Sequence, residues 1–149
     1  MPSQIKVDEI KNVAGQYEIK TNTLKGQTTA GSITLQGEGT ATTNLQQGVA
    51  KAWLQMNGQS VSIAVGDNLN HSSITDSGTG LYDPVFTNPM ANALYCSTGA
   101  AGELVDNGGN RMVGLRARAT TGQHLRGFYD GNSASDLPDI NLAVHGDLA

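Results

Sequence analysis

Along this chain apolar and polar positions alternate in short runs, and no long stretch repeats at helical spacing. Ile5 and Val7 alternate with Lys6 and Asp8 between Gln4 and Ile10, Tyr17 and Ile19 with Glu18 and Lys20, and Ile33 and Leu35 with Thr34 and Gln36. A period of two puts every second side chain on one face, so these runs predict three short half-buried strands within residues 4–36. They carry few large apolar side chains, and strands of this size close no core alone. The segment 1–45 is therefore expected to attach or oligomerise, packing Ile5, Val7, Ile10, Ile19, Ile33 and Leu35 against copies of itself or another protein. Residues 37–47, with Gly37 and Gly39 among small polar side chains, read as a linker.

From residue 46 the runs are more apolar: Val49 to Met56 around Trp53, Val61 to Val65, Leu94 to Ser97, Arg111 to Thr120 and Ile140 to His145. Turn-forming clusters separate them, at Asn57-Gly58, Gly66-Asp67, Asp76 to Gly80, Asn107 to Asn110 and Asp130 to Asn132. Strands recurring every roughly 8–12 residues with such punctuation predict an antiparallel β-sandwich, jelly-roll-like, over 46–149. The fold class is all-β. Leu45 to Trp53 has the makings of a helical turn, but Gly48 and the Val-Ala-Lys-Ala-Trp alternation favour a strand. Trp53, the single tryptophan, is expected to anchor the core, and Cys96, in an Ala-Leu-Tyr-Cys setting, to be a buried thiol.

Composition sharpens this picture. Hydrophobic residues are 38% and aromatics 5% of 149 residues, a thin supply for a monomer's core, so burial is expected to continue between chains in a homotrimer. A formal charge of -4 argues against a nucleic-acid partner and leaves no polybasic membrane patch. No apolar run has the length of a membrane span, and the start MPSQIKVDE lacks the apolar stretch and cleavage site of a secretory signal. Neither membrane insertion nor secretion is expected.

Catalytic motifs are absent: the sequence has no P-loop, no G-x-S-x-G and no H-E-x-x-H, and Gly78-Thr79-Gly80 reads as a turn. Asp67, Asn68, Asn70 and Asp76 crowd one predicted loop, but their order is not that of a calcium-binding EF-hand, and His71, His124 and His145 are far apart. No catalytic residue, metal or cofactor is predicted. The four arginines, Arg111, Arg116, Arg118 and Arg126, fall within 16 residues of one another. Arg116 and Arg118 are expected on one strand face, where planar guanidinium forks suit carboxylates across an interface or an acidic glycan.

Four segments carry a resemblance. Gly48-Val-Ala-Lys-Ala-Trp-Leu-Gln-Met-Asn-Gly58 resembles the "KAWVNFNG" stretch common in structural proteins of marine tailed phages. Asn70-His-Ser-Ser-Ile-Thr-Asp-Ser-Gly-Thr-Gly80 is similar to their "NVSSITDNGTGDYTV", Ile140-Asn-Leu-Ala-Val-His-Gly-Asp147 to "VNVAVFGD", and Ile5-Lys-Val-Asp-Glu-Ile-Lys-Asn12 to "IKVDTIKN". The resemblance implies a non-enzymatic virion protein, assembled in the host cytoplasm, with other tail or capsid proteins as partners. A short tail fibre or appendage is the leading expectation, its Arg116 and Arg118 facing a host-surface glycan. A capsid decoration (cement) protein is the alternative, and a tail-tip carbohydrate-active enzyme a more distant one. Where the family pattern has an alternating Tyr-Thr-Val strand, this chain has Leu81 to Phe86 with Pro84, which cannot donate to a ladder; that strand is expected at an edge or interrupted.

Overall fold

The computed structural model describes residues 22–26, 33–36, 40–59, 63–102 and 109–149. Ile5, Val7, Ile10 and Ile19, with the strands predicted at 4–10 and 17–21, lie outside the described residues.

The all-β, antiparallel expectation holds. One sheet has the order β4 (Ala64–Leu69), β3 (Ala50–Asn57), β11 (Asp139–His145), β7 (Cys96–Gly102). In the other, β6 (Leu81–Phe86) lies between β5 (His71–Gly78) and β9 (Gly122–Tyr129), and β9 also pairs with β8 (Arg111–Ala119) and the two-residue β10 (Ser133–Ala134). The core forms where the inward positions of the two sheets meet. Ala52, Leu54 and Met56 of β3 lie opposite Val144, Leu142 and Ile140 of β11, and all six are buried. Across from them sit Tyr82 and Phe86 of β6 and Leu125 of β9, with Met90, Tyr95 and Leu137 from connecting segments. Each buried Leu, Ile, Val, Met or Phe of this layer contributes about 1.5–3 kcal/mol by leaving water, so the layer holds the sheets together.

The sandwich is closed at both sides. On one, β4 runs into β5 through a single residue, Asn70, at φ 61°, a conformation asparagine tolerates. Its side-chain oxygen accepts from the Asn88 backbone N–H (2.7 Å) while its amide donates to the Asn88 carbonyl (3.0 Å), clamping the corner to the segment after β6. On the other side β7 backs onto β8 at Gly99, where a Cβ would lie 2.9 Å from Val113 Cγ1. Ahead of the sandwich, β1 (Thr34–Gln36) and β2 (Thr42–Asn44) make a separate two-stranded sheet, followed by the one-turn helix α1 (Leu45–Gly48) with Asn44 as its N-cap.

Several local expectations are corrected. Trp53 is not in the core: it falls between the inward positions Ala52 and Leu54, so the strand's alternation turns it to the outer face, half-buried beside Leu69 and Ala143. Cys96 is exposed, because its neighbour Tyr95 takes the inward place. The predicted linker is structured from Thr42 onward. Leu45 to Gly48 form a helical turn and only then does the strand begin. Gly66-Asp67 is no turn but lies inside β4, where the register shifts against Gln55 and Met56. The predicted polar loop around residues 67–76 is instead β4, the Asn70 corner and β5. The strand of Pro84 is interior, not an edge; its pairing with β9 joins Leu81, Tyr82 and Val85 and skips Asp83 and Pro84, so the ladder is interrupted where proline has no N–H.

Candidate functional site

Two surfaces combine uncovered side chains with chemistry. The first lies ahead of the sandwich. Leu35 is 57% exposed and Val49 50%, and with Leu45, Ala41, Thr43 and Gly48 they line a mainly apolar cavity of about 510 Å³. Ile33 is half-buried, and its carbonyl accepts the Leu45 N–H at 2.9 Å, holding β1 against the start of α1. The helix is tied to the sandwich by Lys51: its ammonium is buried and donates to the Gln46 and Val49 carbonyls, the latter at 2.8 Å. Gln47 Nε2 adds a 3.3 Å bond to the Asp147 carboxylate. The groove is thus attached to the sandwich, while three-residue strands are too short to be stable as an isolated pair.

The second surface is the β8–β9 hairpin, which carries all four arginines. Arg116 and Arg118 do not share a face as expected. The register shifts between Leu115 and Arg118, a β-bulge that breaks the two-residue alternation. Arg118 then pairs with the buried Gln123, its guanidinium donates to the Tyr95 carbonyl at 2.7 Å, and it lies 5.9 Å from the Tyr95 ring centre. Both residues are exposed, but Arg116 makes no such contact with Tyr95. Gln123 Nε2 holds the bulge, donating toward the Arg116 (3.3 Å) and Ala117 (3.4 Å) carbonyls. Arg111 lies over Tyr129 at 4.7 Å and Arg126 over Phe128 at 4.8 Å.

On the same sheet Asp83 meets His124: Nδ1 to Oδ1 is 2.5 Å, and Ser77 Oγ donates to Asp83 Oδ2 at 2.5 Å. The serine hydroxyl and the imidazole thus both turn to the one carboxylate of Asp83. This trio was invisible in sequence, because Ser77, Asp83 and His124 meet only through the β5–β6–β9 pairing. A third feature is an open cleft of about 400 Å³ where Cys96 and His145, register partners on β7 and β11, adjoin Asp147. Among the described residues no three His, Cys, Asp or Glu side chains are placed to hold a metal ion, and no helix is long and apolar enough to cross a membrane.

Comparison of the chain with family models, with curated proteins and with solved structures finds no match.

Proposed function

We propose that the chain is a non-enzymatic structural protein of a tailed-phage virion, a short tail fibre or appendage component that assembles through its amino-terminal segment and projects the sandwich. The observation that carries this reading is the division of the molecule: a closed sandwich beside a small sheet and helical turn whose apolar groove, with Leu35 and Val49 uncovered, is built for another chain to complete. The resemblance of residues 48–58, 70–80 and 140–147 to phage structural proteins supports it as well. Those segments are β3 with its flanks, β5 with the turn that follows it, and β11, which contribute strands to both sheets of the sandwich.

A homotrimer fits the thin apolar content, and tail or capsid proteins are the further partners. The capsid-decoration reading uses the same two surfaces with the groove docked on a shell. Quantifying the chain against the major capsid protein in purified particles of the phage that encodes it tests both. Copies amounting to a small fraction of the shell subunits fit a tail appendage, and copies matching the shell subunits fit decoration. Absence from washed particles would overturn the virion reading.

A further inference from the structure

The chain has a formal charge of -4, yet every guanidinium it owns sits on one hairpin, β8–β9, on one flank of an acidic molecule. Arg118 is committed to the Tyr95 carbonyl, and Arg111, on Tyr129, lies at the hairpin's open end, away from His124. Arg116 and Arg126 remain, one on each side of His124. Arg126 follows His124 by two residues, on the same face of β9, and Arg116 lies in the bulge across from it.

Both are displayed by devices that cost the fold something. The bulge presenting Arg116 is pinned by a fully buried amide, Gln123, and a bulge re-aims a side chain that regular pairing would place elsewhere. Arg126 rests on the Phe128 ring, and that ring reaches over Gly114, Arg126's own register partner, where a Cβ would come within 2.8 Å of Phe128 Cε2. The stack therefore needs glycine at 114. Among the described residues Arg126 Nε is buried without a hydrogen-bond partner. Stacking fixes the plane of a guanidinium, and a fixed fork loses less freedom when it grips a flat or tetrahedral anion.

We propose that the face of β8–β9 around Arg116, His124 and Arg126 binds the carboxylate or sulfate groups of an anionic polysaccharide. The argument for this occupant is charge complementarity on an open sheet face. An extended polymer presents repeated anions to two cations and gains from multivalency. Asp83, beside His124, is engaged by His124 and Ser77. A nucleic acid fits worse. Its bases need bare rings to stack on, and the rings of Phe128 and Tyr129 are covered by guanidinium groups. The inference goes beyond the virion reading and stands or falls without it, because binding is measured on the purified chain.

The test is retention of the full chain on immobilised dextran sulfate and polygalacturonate, with neutral dextran and a single-stranded DNA oligonucleotide as comparisons. Expected are retention on at least one polyanionic glycan that salt abolishes, none on dextran, and weakening on the order of tenfold in Arg116→Gln/Arg126→Gln, as two charge-assisted contacts would give. Arg116→Glu, a change at an exposed side chain, serves as the second variant if the double substitution unfolds. No retention on either glycan, retention unaltered in the variants, or DNA held as tightly as the glycans through the same arginines would overturn the proposal.

Discussion

The Tyr82 hydroxyl donates to Asp136 Oδ1 at 3.1 Å, and that same oxygen accepts the Gly80 N–H at 2.6 Å. One carboxylate thus joins the start of β6 to the segment between β10 and β11. Gly80, at φ +67°, leaves no room there: a Cβ would lie 2.7 Å from the Gly127 carbonyl and 2.8 Å from the Ser135 nitrogen. Burial, and then the nearby Asp136 charge, push the Tyr82 pKa up, so the phenol stays a donor at any working pH. Tyr82→Phe keeps the ring and leaves part of a buried acceptor set unpaired, and is expected to cost about 1–3 kcal/mol in denaturant unfolding. An unchanged midpoint would show that the bond is not part of what holds this corner.

Adjacent residues of β3 give opposite expectations. Leu54 is 1% exposed in the core and Trp53 faces outward, so Leu54→Ala is expected to cost about 2–5 kcal/mol and Trp53→Ala clearly less, despite its larger side chain. Parallel melting curves of the two variants check this, and a larger loss for Trp53→Ala would place the tryptophan inside after all.

His71, at the corner into β5, packs 5.3 Å from the Phe86 ring, and neither of its buried ring nitrogens has a hydrogen-bond partner. Burial lowers its pKa, and the Val85 backbone offsets this in part. A histidine whose folded pKa lies below its unfolded value of about 6.5 binds its proton more readily in the unfolded chain. Its contribution is therefore intact above that pH and is lost as pH falls from about 6.5 toward the folded pKa. Thermal melts at pH 7.5 and 5.5 are expected to differ more for the natural chain than for His71→Phe. Equal differences would remove His71 from the acid response.

Much of this fold is legible because β3, from Ala52 onward, and β11 alternate, and these two build the central pair of one sheet. What alternation cannot tell is which phase faces inward. As the single tryptophan in an apolar run Trp53 reads as core, whereas Ala52, Leu54 and Met56 share the phase that matches Val144, Leu142 and Ile140 across the ladder. β4 and β5 were hidden by polar side chains: β4 is exposed along its length and β5 nearly so, edge strands of low apolar content that only pairing reveals. β9 escaped for a related reason. Its inward face, Gln123, Leu125 and Gly127, holds one large apolar residue, so its pattern is faint. The arginine surface was half visible. Its composition could be read directly, but the bulge that separates Arg116 from Arg118 depends on Gln123 and on the partner strand.

We propose that other copies of the chain complete the apolar groove of the segment that carries the sandwich. Multi-angle light scattering of the full chain at micromolar concentration tests it most directly. The account predicts a mass three times the 15.5 kDa of one chain. A stable 15.5 kDa species at that concentration would contradict it.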